Sequence, residues 1–156
     1  MKKALFAFFM LMVCATFSVH AIPKNYVKLK YGKVYTYLSV SFVERDKTNY
    51  MVVTSGDHRY SFSEEVVMTI RFFDNTVMEV EGKRLTENTR TIGGLFSKSD
   101  YIETTVEFPF TDALHEKMKG GIQKIRFSTV PQNVGKEYKK DKLGKQLLKI
   151  FEKAKF

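Results

Sequence analysis

The stretch that decides the fold is Val34-Tyr35-Thr36-Tyr37-Leu38-Ser39-Val40-Ser41-Phe42-Val43-Glu44. Successive side chains of an extended chain point to opposite faces, so Val34, Thr36, Leu38, Val40 and Phe42 share one side and Tyr35, Tyr37, Ser39 and Ser41 the other. That is a strand with one buried face. The same period recurs at Tyr26–Tyr31, Asn49–Thr54, Val66–Phe73, Thr76–Glu81, Tyr101–Phe108 and Ile122–Val130, and less regularly at Arg59–Ser63 and Lys83–Thr91. Turn-forming residues stand between them at Tyr31-Gly32-Lys33, Ser55-Gly56-Asp57, Asp74-Asn75, Glu81-Gly82-Lys83 and Gly93-Gly94. Asp74-Asn75 reads as a tight hairpin, because both residue types tolerate positive φ. Short strands at near-regular spacing predict a mainly β fold, an antiparallel β-sandwich or partly open barrel of 7–9 strands.

Two helices are expected within this frame. Asp112 can cap a short helix near 112–119 whose Leu114 and Met118 share a face, and Gly120-Gly121 can supply the left-handed residue that ends it. At the C-terminus, Leu143, Leu147, Ile150, Phe151 and Ala154 recur at helical spacing among lysines, which predicts an amphipathic helix near 135–154. Gly144 weakens that helix by about 1 kcal/mol relative to Ala, so docking on an apolar surface must stabilise it. Pro131-Gln132-Asn133 reads as the hinge between the β body and this helix.

Residues 1–21 read as a cleavable export signal. Lys2 and Lys3 precede an uncharged apolar run from Ala4 to Val19, and Val19 and Ala21 are small enough for a peptidase pocket. The run falls short of the roughly 20 residues that a membrane-spanning helix needs. Lipid attachment at Cys14 is disfavoured, because the preceding Val13 is bulkier than the usual small residue. Residues 22–156 then form a single β-rich domain without cysteine, which stabilises itself by burial and not by disulfides. The processed chain carries +7, and +5 of that lies between Lys136 and Phe156. The remainder is nearly neutral, which argues against a nucleic-acid reader, whose affinity comes from massed phosphate-neutralising cations.

The run Asp112 to Phe127, a short Leu-bearing helix, a Gly pair and then Ile122-Gln123-Lys124-Ile125-Arg126-Phe127, resembles one in small exported β-rich proteins of Bacteroides-type bacteria. The resemblance implies export to the periplasm or beyond and a β-rich fold. It assigns no functional residue.

Catalytic signatures are missing from the chain. His58 and His115 stand 57 positions apart, outside any ligand-like spacing, so neither a metal nor a cofactor is expected. Asp57-His58 with Ser55, Ser61 and Glu64 is the one local cluster with acid–base chemistry, and its better reading is a polar turn. Glu64 and Glu65 are neighbours in a strand and face opposite ways. Two features point to binding. Tyr35 and Tyr37 share the outer face of the longest strand, and tyrosine joins a rigid apolar ring to a polar tip suited to sugars or peptide side chains. Lys139, Lys142, Lys145, Lys149 and Lys153 line the terminal helix, where they can meet an anionic surface.

The leading expectation is an exported, non-catalytic binding or envelope-accessory module with a glycan or protein ligand at Tyr35 and Tyr37. Its alternatives are peripheral attachment to an anionic membrane or wall polymer through the lysine-rich helix, and a small hydrolase using His58 or His115.

Overall fold

The computed structural model describes residues 25–94 and 97–154, so the expected leader at 1–21 lies outside the described residues. Among the described residues, ten strands and two helices follow one another. They are β1 (Tyr26–Tyr31), β2 (Val34–Arg45), β3 (Thr48–Asp57), β4 (Ser61–Phe62), β5 (Glu65–Phe72), β6 (Val77–Gly94), β7 (Ser97–Pro109), α1 (Asp112–Lys119), β8 (Ile122–Phe127), β9 (Thr129–Val130), β10 (Val134–Glu137) and α2 (Leu143–Ala154). Eight strands close an antiparallel barrel in the order β1-β10-β8-β5-β6-β7-β3-β2, while β4 and β9 pair apart from it.

The period-two reading of β2 holds from Tyr35 to Phe42, while Val34, expected on the buried face, is exposed at the strand's start. Thr36, Leu38, Val40 and Phe42 are buried inside, while Tyr35, Tyr37 and Ser41 stay exposed outside. Tight turns set the registers on either side. Gly32 at φ 59° closes the β1–β2 hairpin with Tyr31 opposite Val34. Asp46 and Lys47, at φ 50° and 60°, close β2–β3 with Arg45 opposite Thr48, as a two-residue hairpin turn with paired positive φ requires. Asn75 at φ 65° makes the expected β5–β6 turn.

The barrel closes because Val134–Glu137 is a strand and not the first turn of the terminal helix. Val134 pairs with Tyr31 on one side and with Phe127 on the other. Its four residues carry no clear alternation, and Gly135 is required, since a Cβ there would lie 2.6 Å from the Ile125 carbonyl oxygen. The helix accordingly begins at Leu143, and Pro131-Gln132-Asn133 turns between β9 and β10 inside the body.

Three further expectations shift for local reasons. Ile122–Val130 is split at Ser128, whose backbone N–H donates to the Val67 carbonyl and whose Oγ accepts from the Val67 N–H at 2.7 Å. That releases β9 to pair with β4. Ser55-Gly56-Asp57 and Glu81-Gly82-Lys83 are not turns but strand interior. Both glycines make room for a ring: a Cβ on Gly82 would meet Phe108 at 2.5 Å, and one on Gly56 would meet the Tyr101 hydroxyl at 1.9 Å. Thr111, and not Asp112, caps α1 by accepting from the Leu114 N–H at 3.2 Å. Gly121 at φ 90° supplies the left-handed residue after it.

The interior is filled. Leu29, Met51, Val53, Met68, Ile70, Phe72, Phe108 and Phe127 occupy it with almost no exposure. An eight-stranded barrel is just wide enough either to be packed by side chains or to hold one small ligand. Here the crevice among Val27, Leu38, Val40, Met51, Ile125, Phe127 and Leu147 amounts to about 10 Å³.

The helices cap one end. Leu143, Leu147 and Ile150 of α2 are buried, and Phe151 stacks edge-on against Phe42 at 5.2 Å and meets Phe110 at 4.8 Å. Gly144 permits close approach to α1, since a Cβ would stand 3.1 Å from the Met118 carbonyl. Asp141 joins the elements by accepting from the N–H groups of Gly144 and Ile122 at 2.9 and 3.2 Å.

Candidate functional site

With the interior packed, the candidate site lies on the outer wall. Tyr35 and Tyr37 are 47% and 46% exposed, far above the burial that a covering helix or sheet would impose. The β1–β2 register sets Lys30 opposite Tyr35, Lys28 opposite Tyr37 and Tyr26 opposite Ser39. On the other side, β3 contributes Thr54 and Gly56, and β7 contributes Tyr101 and Glu103. Tyr26, Tyr35, Tyr37, Tyr101, Thr54 and Glu103 help to line an open depression of about 250 Å³, and Lys28 and Lys30 stand outside that lining, over the Tyr35 ring. Gly56 is what lets Tyr101 lie across β3 toward the other tyrosines.

Three ammonium groups crowd the β1–β10 border. The Nζ of Lys28 lies 3.9 Å from the centre of the Tyr35 ring, that of Lys30 5.3 Å and that of Lys136 5.6 Å. Lys136 also sits 4.8 Å over Tyr138. The Tyr138 hydroxyl donates to the Lys28 carbonyl at 3.2 Å, and burial pushes its phenol up to about 12. Carboxylates near the depression already have partners: Glu103 faces Arg90 at 3.7 Å, and Asp57 is held by Arg59. Among the described residues, Lys28, Lys30 and Lys136 have no carboxylate within ion-pair distance.

Below this wall, at the barrel end away from the helices, buried polar groups form a latch. Arg59 donates to Asp57 through its backbone N–H at 3.0 Å, Nε at 2.7 Å and Nη2 at 2.5 Å. Thr36 donates to Asp57 at 3.2 Å and lies 2.7 Å from the Tyr60 hydroxyl, to which Ser55 donates at 2.9 Å. Tyr31 stacks on Tyr60 at 5.0 Å. Burial pulls the Asp57 carboxyl upward, but the hydrogen bonds and charge of Arg59, with help from Thr36, outweigh it and hold the group below its ordinary range. Burial raises the Tyr60 phenol.

This latch takes up Ser55 and Asp57 of the cluster that the sequence singled out for acid–base chemistry, while Glu64 faces Arg84 at 3.2 Å and Ser61 lies in β4. Ser55 is buried with its hydroxyl engaged by Tyr60, while His58 is exposed with Nδ1 3.7 Å from Asp57. His115 belongs to the opposite end, where it packs against Phe110 and Phe151 at 5.8 and 5.2 Å. The two histidines do not meet. Among the described residues no group of three or more His, Cys, Asp or Glu side chains is placed to hold a metal ion.

Lys139, Lys142, Lys145, Lys149 and Lys153 are all exposed, while the apolar stripe of α2 is docked on the body. Gln146 donates to the Tyr26 carbonyl at 2.7 Å, which fixes the side of the helix facing β1. At about 100° per residue, Lys149 and Lys153 project within about 60° of Gln146, and hence toward β1 and the tyrosine wall. Lys153 joins Asn25 and Ser41 at a second depression of about 170 Å³. Lys139 lies apart, beside Tyr138, Phe73 and Gln123. No helix among the described residues is long and apolar enough to cross a membrane.

Sequence reasoning found Tyr35 and Tyr37 but not Tyr26, Tyr101, Lys28, Lys30 or Lys136. The tight Gly32 turn carried the signal for Lys28 and Lys30, because it fixes which residues of β1 stand opposite the tyrosines. Comparison of the chain with protein-family models, curated proteins and solved structures finds no match.

Proposed function

We propose that this protein is an exported, non-catalytic binding or envelope-accessory module that holds a glycan or protein ligand on the outer wall of its barrel. One observation carries the reading: four tyrosines from β1, β2 and β7 converge on one open depression while the barrel interior is packed. Large, rigid rings with polar tips provide contact area at low entropic cost. Export rests on the leader-like residues 1–21 and on the resemblance at Asp112–Phe127.

A glycan microarray probed with the purified protein and with a Tyr35→Ala plus Tyr37→Ala double variant tests the seat. Signals present for the parent and lost in the folded double variant support it. Equal signals from both proteins would remove this face from the account.

Attachment through α2 is supported only in its electrostatic form. The lysines are free to meet an anionic polymer, but the stripe of Leu147 and Ile150 that would insert into a bilayer is buried against the barrel.

A further inference from the structure

We infer that the ligand of the tyrosine wall is an anionic polysaccharide, carboxylated or sulfated, lying along the outer face of β2 from Tyr35 toward Lys153. This rests on the proposed binding role of the wall and adds the charge, chemical class and path of the ligand.

The charge follows from local balance. Glu103 and Asp57 have arginine partners, whereas Lys28, Lys30 and Lys136 converge on one tyrosine ring without a carboxylate. Cation–π contact at an exposed site recovers only about 0.5–1 kcal/mol, so these ammoniums keep most of their capacity for an incoming anion. The path follows from geometry. Tyr35, Tyr37, Ser39 and Ser41 stand in line on one face of β2, spanning about 20 Å at the rise of a strand. The first depression covers Tyr35 to Ser39, and the second holds Ser41 and Lys153. Lys149 extends the positive charge on that side of α2. A polymer with repeated anionic groups can reach both ends, and a single small anion cannot.

The class follows from what else lines the path. Ser39, Thr54 and Glu103 offer hydroxyls and a carboxylate acceptor beside the rings, which suits a ligand rich in hydroxyl donors. The chain of a DNA strand carries no free hydroxyl at each sugar to donate to Glu103, whereas a polysaccharide does. A peptide would ordinarily add as an extra strand, but β2, which carries the path, lies between β1 and β3 in the closed barrel.

The test is titration of the purified protein with polygalacturonate and with its fully methyl-esterified form, which keeps the backbone and removes the charge. A thymidine oligonucleotide and polyglutamate serve as the other polyanions. Expected are tighter binding of polygalacturonate than of the ester by at least about tenfold, and a comparable loss in a Lys28→Gln, Lys30→Gln, Lys136→Gln variant. Lys153→Gln should weaken long oligomers more than short ones. The variants alter exposed side chains, save for the half-buried Lys136, and thermal melting confirms that they fold. Equal binding of acid and ester, with loss only in Tyr35→Ala plus Tyr37→Ala, overturns the anionic inference and leaves the tyrosine seat standing. Preference for the oligonucleotide or polyglutamate overturns the polysaccharide class. Binding of polygalacturonate indifferent to both the lysine and the tyrosine variants removes the wall itself.

Discussion

The two ends of this barrel are closed by opposite chemistries. At one end α1 and α2 bring Leu114, Met118, Leu147 and Ile150 against Phe42 and Phe110, and the contact is almost wholly apolar. At the other, the β4–β9 pair covers an end in which Thr36, Ser55, Asp57, Arg59 and Tyr60 are joined by directed hydrogen bonds. The apolar cap depends mainly on volume, whereas the polar latch depends on geometry and on the ionisation of one carboxylate. The latch also adjoins the tyrosine wall, because Thr36, Asp57 and Arg59 border the same depression as Tyr35 and Tyr37. A rigid latch can hold the β2–β3 region that carries the proposed binding face, while the helices only have to keep the far end dry.

The largest effect should come from the apolar end. Phe110→Ala removes a ring that packs on Phe42, Phe151 and His115 and should cost about 3–5 kcal/mol in urea denaturation. A small effect there would mean that the helices are an appendage and not a cap.

Asp57→Asn should cost less, about 1–3 kcal/mol at neutral pH, through lost charge-assisted hydrogen bonds. It should also change the pH dependence. The folded-state carboxyl is held below its ordinary 3.8, so its stabilisation is complete above that value and is lost as pH falls through the lower folded-state value. The difference in unfolding free energy between parent and variant should therefore shrink on acidification below 3.8. A difference that stays constant down to the acid transition would contradict the latch.

A glycine pair sharpens the same comparison. Gly82→Ala sets a methyl group against Phe108 and the Glu107 carbonyl, inside packed structure, and should cost about 1–3 kcal/mol. Gly56→Ala meets only the end of the Tyr101 side chain. It should shift that ring, with its fluorescence and any ligand affinity, at a stability cost of under about 1 kcal/mol. Equal costs for the two would deny that Tyr101 is a movable part of the wall.

Much of the frame was legible before the structure, because β2, β5 and β8 bury one face and their apolar residues therefore alternate. What escaped was set by contacts between distant residues. Val134–Glu137 has too weak a pattern to read as a strand, yet its pairing with β1 and β8 turns a partly open barrel into a closed one. Gly56 and Gly82 looked like turns because glycine marks turns more often than it makes room for a ring. Tyr101 reaches Tyr35 and Tyr37 only through the β3–β7 register, across residues far apart in the chain. The lysines of β1 were readable from the Gly32 turn. Lys136 was assigned to the terminal helix, and its place beside Tyr35 depends on β10.

Hydroxyl-radical footprinting of the purified protein, with and without polygalacturonate, decides whether the ligand sits on the outer wall of a packed barrel. Tyr35 and Tyr37 should oxidise rapidly and Met51 and Met68 slowly in the free protein, with the polymer protecting the tyrosines and leaving the methionines unchanged. Slow oxidation of the tyrosines, or protection that falls on Met51 and Met68 instead, would contradict that seat by placing the binding surface inside the barrel.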